Sequence, residues 1–122
     1  MRLFEVNFQG EKNTVYCKSE STKSGFKHVA KMYYNGNSYT ATRHYYNRTY
    51  EYYDFQSVMQ DLFKNIENKF KEKAVNEWKA EKGKKRISAV ERERIYKDID
   101  ALFKNSFMEI TEEPPYSYAC ND

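Results

Sequence analysis

From residue 26 to residue 45 apolar and polar positions alternate on both sides of an Asn35-Gly36 pair. Asn-Gly between β-prone runs is a strong hairpin signal, because a type I′ turn needs φ > 0 at both central positions. A two-residue loop then dictates the register. Tyr34 falls opposite Asn37, Met32 opposite Tyr39, Ala30 opposite Ala41, His28 opposite Arg43 and Phe26 opposite Tyr45. Alternation puts Phe26, Ala30, Met32, Tyr39, Ala41 and Tyr45 on one face. Lys27, Lys31, Thr40, Thr42 and His44 take the other, with Val29 and Tyr33 among them. One apolar and one polar face is the pattern of an antiparallel sheet covered on one side.

Two earlier runs carry the same period. Phe4, Val6 and Phe8 share a face within residues 2–8, residues 9–13 read as a turn around Gly10, and residues 14–18 read as a second strand. There Val15 and Cys17 oppose Thr14 and Tyr16, and the polar residues 19–25 read as a loop. The first 53 residues thus predict a four-stranded antiparallel meander. For residues 46–53 an extension of the fourth strand and a bulged bend are both compatible with the pattern.

The period then changes to a helical one. Phe55, Met59, Leu62, Ile66 and Phe70 recur at helical spacing, joined by Val58, Phe63, Ala74 and Trp78. Asp54 is the expected N-cap and Gly83 the expected left-handed terminator, giving a first helix over residues 54–82. Its second half outruns a small sheet and is expected to project or to pack only on the next helix. Ser88 with Glu91 matches a capping box and opens a second helix over residues 87–105. Ile95, Ile99, Leu102 and Phe103 form its apolar stripe, with Glu93–Lys97 and Arg94–Asp98 as exposed i,i+4 pairs. Pro114-Pro115 then bars a further helix, leaving residues 109–122 as an irregular acidic tail. The fold class is α+β in a single domain.

Composition sharpens this picture in two ways. Mean hydropathy is low, at -1.03, yet 12 tyrosines and 8 phenylalanines supply the apolar area that a core needs. Net charge is only +3, and it is uneven, because the body is basic and the tail carries four acids and no base. Two cysteines, Cys17 and Cys120, form no disulfide framework and no C-x-x-C pair. No signal-peptide pattern or long apolar run is present, so a soluble protein of the cytoplasm is expected.

No phosphate-binding loop, dinucleotide fingerprint or metal-spaced Cys/His cluster occurs, so no cofactor, metal or catalytic residue is expected. His28 and His44 fall on opposite faces of the hairpin, and Cys17 reads as a small buried residue. Tyrosines interleaved with cations carry the functional signal. His44, Tyr46, Arg48, Tyr50 and Tyr52 share a face if the fourth strand continues, with Arg43 beside them. Lys82, Lys84, Lys85 and Arg86 form a basic connector between the helices. Such residues stack bases and neutralise phosphates, or anchor a protein interface. They also simply cover a core that is short of Leu and Ile.

The stretch YNGNSYTATRHYYNRTYEYYDFQSVM resembles segments of small bacteriophage and mobile-element proteins, in which a short antiparallel sheet leads through an Asn-Arg-Thr-aromatic-Glu turn into a helix. Size and style are also similar to the anti-CRISPR inhibitors of type II (Cas9) systems, with the likeness spanning residues 34–63. Many such inhibitors are acidic mimics of DNA, whereas this chain is basic. The resemblance therefore implies a non-catalytic inhibitor that binds the effector or its guide RNA sterically or allosterically. It assigns no functional residue. The alternative expectation is a small nucleic-acid-binding protein that uses the Tyr/Arg face and the basic connector.

Overall fold

A computed structural model describes residues 1–46, 55–104 and 110–112, the last as backbone only. Strands β1 (Arg2–Phe8), β2 (Glu11–Ser21), β3 (Phe26–Tyr34) and β4 (Asn37–Tyr45) form the predicted antiparallel meander. Helix α1 (Gln56–Lys82) packs on one face of it, and α2 (Ala89–Phe103) packs against α1. A short β5 (Ile110–Glu112) pairs antiparallel with β1, giving the order β4-β3-β2-β1-β5. The expected irregular tail is therefore a strand over these three residues, where the free edge of β1 supplies hydrogen-bond partners.

The hairpin register is the one that Asn35-Gly36 dictates, from Tyr34 opposite Asn37 to Phe26 opposite Tyr45. Asn35 (φ 51°) and Gly36 (φ 78°) both adopt the left-handed region that the turn requires. The β1–β2 connection uses the same device. Gln9 (φ 53°) and Gly10 (φ 80°) alone reverse the chain, and the Gly10 N–H donates to Asn7 Oδ1 at 3.1 Å. The expected five-residue turn is shorter for that reason, and β2 starts at Glu11 and runs on to Ser21.

The core lies between sheet and α1. Phe4, Val6, Phe8, Val15, Cys17, Ala30 and Met32 are buried against Phe55, Val58, Met59, Leu62 and Ile66. Each fully buried aliphatic or aromatic side chain contributes about 1.5–3 kcal/mol, so this face holds the fold together. At one end Phe8, Tyr34, Phe70 and Phe103 form an aromatic cluster, with Phe8 ring centroids 4.7 Å from Tyr34 and 5.4 Å from Phe103. At the other end Phe26 stacks on Tyr45 at 4.8 Å, and His28 is buried among Phe26, Tyr45 and Phe55.

Helix α1 is capped differently at its two ends. The N-cap is Phe55, without a side-chain hydrogen bond, so the helix starts after the expected Asp54, which lies outside the described residues. At the far end Gly83 is left-handed (φ 63°), its N–H donating to Ala80 and the Lys84 N–H to Lys79. This double closure is a Schellman motif. The first half of α1 is buried on the sheet, and the second half packs on α2, where Lys71 Nζ meets Asp100 at 2.7 Å.

Helix α2 opens as expected, with Ser88 Oγ accepting from the Glu91 N–H at 3.2 Å. Its apolar stripe is narrower than the sequence implies. Phe103 is buried, Ile95 and Ile99 are half-buried, and Leu102 lies off the stripe at 50% exposure. Glu93 and Lys97 pair at 3.5 Å, whereas Arg94 pairs with Glu91 rather than with Asp98. A carboxylate one turn back, oriented by the helix start, is the nearer partner.

Candidate partner-binding surface

The described members of the sequence-predicted set lie in separate places. Arg43 points to the same side as α1, where its guanidinium meets Asp61 at 3.3 Å. His44, the next residue, is exposed on the opposite face. Strand β4 ends at Tyr45, and Tyr46 stands in a bend at 71% exposure. Arg48, Tyr50 and Tyr52 lie outside the described residues. The connector sits elsewhere again. Phe55 adjoins His28, and α1 runs on for 27 residues, about 40 Å of rise, before Lys82 ends it. Lys84, Lys85 and Arg86 are exposed there, with Lys84 Nζ 5.9 Å from the Trp78 ring centroid. Arg43, the His44–Tyr46 end of β4 and the connector are thus not one surface.

A different surface is built by the open face of the sheet. Because β1 to β4 bury alternate residues on α1, their other residues point away from it. At the centre, Tyr16 on β2 and Tyr33 on β3 stand edge to face with centroids 6.4 Å apart. Lys31, opposite Tyr16 in register, lays its ammonium 5.1 Å from the Tyr33 ring centroid. Tyr16 and Tyr33 remain 37% and 55% exposed, so two large rings lie in water at the middle of a rigid sheet. Leu3 and Val29 flank them, and Thr40 and Thr42 follow on β4.

The charges around these rings are largely paired. Lys18 and Lys27 converge on Glu20 at 2.7 and 3.3 Å, and Lys12 meets Glu5 at 3.6 Å. Hydrogen bonds from Lys18 and then Lys27 hold the Glu20 carboxyl below the usual carboxylate range. The face is therefore an aromatic centre with an ion-paired rim. The sequence carries its signal as phase: Tyr16 and Tyr33 are bulky aromatics on the otherwise polar side of their strands.

Nucleophilic chemistry finds no support at Cys17. Burial pushes its thiol up to about 12, with the positive charge of Arg2 offsetting only part of that. A thiol so held is an inert core residue. Among the described residues no group of three or more His, Cys, Asp or Glu side chains is arranged to hold a metal ion. No helix among them is long and apolar enough to cross a membrane. No protein-family profile, curated protein or solved structure matches the chain.

Proposed function

We propose that this chain is a non-catalytic binding protein that engages a macromolecular partner through the open face of its sheet, with Tyr16 and Tyr33 as the anchors. The observation that carries this reading is the exposed tyrosine pair at the centre of a sheet whose other face is fully used by the core. Tyrosine is enriched at interface hot spots, where a flat amphipathic ring gains contact area at little entropic cost. A rim of ion pairs suits a protein surface, since mixed-sign charges choose a partner and orient it. A polyanion would instead compete with Glu5 and Glu20 for three of the four lysines on this face. The resemblance over residues 34–63 points to a Cas9-type ribonucleoprotein as the partner, bound chiefly through its protein component.

The test is retention of a purified Cas9–guide ribonucleoprotein by the immobilised chain, with and without nuclease. Tyr16→Ser and Tyr33→Ser are compared with the triple change Lys84→Ala, Lys85→Ala, Arg86→Ala. Each tyrosine change is expected to cost about 2 kcal/mol or more, or roughly thirtyfold in Kd, with modest dependence on salt. The connector variant is expected to bind as the parent does. Absence of micromolar binding by the parent refutes the named partner, and unchanged binding by both tyrosine variants refutes the face. Loss in the connector variant, with a steep salt slope of about -0.7 to -0.9 per phosphate contact, would replace this reading with nucleic-acid binding.

A further inference from the structure

A cleft of about 470 Å³ opens where the β3–β4 turn approaches α1 and α2. That volume lies in the range of small-molecule sites. Its apolar lining is Tyr34, Tyr39 and Phe70 with Ala74 and Ile99. Tyr34 and Phe70 belong to the aromatic cluster around Phe8, so this side of the cleft is as rigid as the core. Above them stand Lys69 and Lys73, one helical turn apart on α1, while Asn35, Asn37 and Ser38 bring amide and hydroxyl groups from the turn.

The two lysines, like Lys79 and Lys82 farther along α1, differ in pairing from Lys64 and Lys71. Lys64 pairs with Glu67 at 3.0 Å and Lys71 with Asp100 at 2.7 Å. Lys69 and Lys73 form no ion pair among the described residues. The Lys69 ammonium lies 5.3 Å from the Tyr39 ring centroid, which fixes it at the cleft wall without using up its donors. Glu77 lies one turn beyond Lys73, so the positive charge is concentrated toward Lys69.

We infer that this cleft binds a nucleoside monophosphate, with the base against Tyr34 and Phe70 and the phosphate on Lys69 and Lys73. Two ammonium groups without an ion-pair partner recognise a compact dianion through charge-assisted hydrogen bonds, and an aromatic wall recognises a flat ring. The inference does not rest on Tyr16 or Tyr33, although Ser38 of the cleft is the register partner of Tyr33.

Isothermal titration of the full chain with AMP, GMP, adenosine and inorganic phosphate tests it. AMP or GMP is expected to bind with a Kd of about 100 μM or tighter, and adenosine and phosphate at least about tenfold more weakly. Lys69→Gln with Lys73→Gln is expected to weaken the nucleotide by about tenfold or more, with the urea midpoint confirming an intact fold. Tyr16→Ser is expected to leave nucleotide binding unchanged, which separates this site from the sheet face. Kd values above about 1 mM for both nucleotides, equal binding of phosphate alone, or indifference to the lysine changes would each overturn the inference.

Discussion

Of the four glycines, only Gly25 has atoms within 4 Å of an added Cβ. It closes the β2–β3 connection, in which the Thr22 N–H donates to the Gly25 carbonyl at 3.0 Å. A Cβ added there would lie 2.1 Å from the Tyr45 carbonyl oxygen, 2.9 Å from the Tyr46 carbonyl carbon and 3.0 Å from that of Tyr45. The oxygen contact is more than about 1 Å shorter than the closest ordinary C···O approach of about 3.3 Å. Every clashing atom is backbone, so no rotamer change relieves it. Gly25→Ala must push the end of β4 away from the start of β3, where Phe26 and Tyr45 stack at 4.8 Å and help to enclose His28. Overpacking of this kind costs about 1–3 kcal/mol, and a clash confined to backbone belongs at the upper end, about 2–3 kcal/mol.

Gly10→Ala is the matched control. No atom lies within 4 Å of its Cβ position, and only a φ of +80° opposes the side chain. That strain costs about 1–2 kcal/mol. Urea unfolding followed by Trp78 fluorescence and circular dichroism measures both variants. With m of about 1–3 kcal/mol per molar, a loss of 2 kcal/mol lowers the midpoint by about 0.7–2 M. The reasoning fails if Gly25→Ala lies within about 0.5 kcal/mol of the parent, or if Gly10→Ala is the more destabilised of the two.

Two further outcomes follow from the core and from the second helix. In a Cys120→Ser background at pH 8, Cys17 with its thiol near 12 is about one part in 10⁴ thiolate, against about a quarter for a free cysteine; its alkylation should therefore require unfolding and track the urea transition, and rapid labelling of the native protein would contradict its burial. Ser88→Ala removes the acceptor of the Glu91 N–H and should lower stability by about 1 kcal/mol in the same titration, an unchanged midpoint showing that α2 does not depend on this cap.

How much was legible in the sequence depended on the range of the cause. Asn35-Gly36 specifies its hairpin locally, through two dihedral angles and a period of 2, so every pairing in β3–β4 follows from it. Gly83 ends α1 for an equally local reason. Strand β5 is not legible in that way. Its three residues pair because β1 offers a free edge, and that edge exists only once the sheet has formed. Arg43 shows the same limit at the level of a side chain. As part of a tyrosine-cation run it reads as a phosphate contact, yet its partner is Asp61, on a helix whose position over β4 is a tertiary fact. Tyr16 and Tyr33 were visible as aromatics in the polar phase, but their proximity needed the β2–β3 register as well.

The same distinction governs charge. A net +3 says nothing about where an anion would be welcome, because what counts is which ammonium groups already have a carboxylate. On the open sheet face Lys12, Lys18 and Lys27 are paired, and Lys31 lies over a tyrosine ring. The binding proposed there would gain little from releasing counterions and would draw on the area of two aromatic rings, which salt does not screen. At the cleft Lys69 and Lys73 have no ion-pair partner among the described residues, and Glu77 one turn beyond Lys73 offsets part of their charge, so the proposed attraction for a phosphate falls as the Debye length shortens from about 10 Å at 0.1 M salt to 3 Å at 1 M. The two proposed sites on one small domain thus differ in their expected sensitivity to ionic strength, slight at the sheet face and marked at the cleft, and the difference arises from the pairing of individual lysines, which the total charge of the chain conceals.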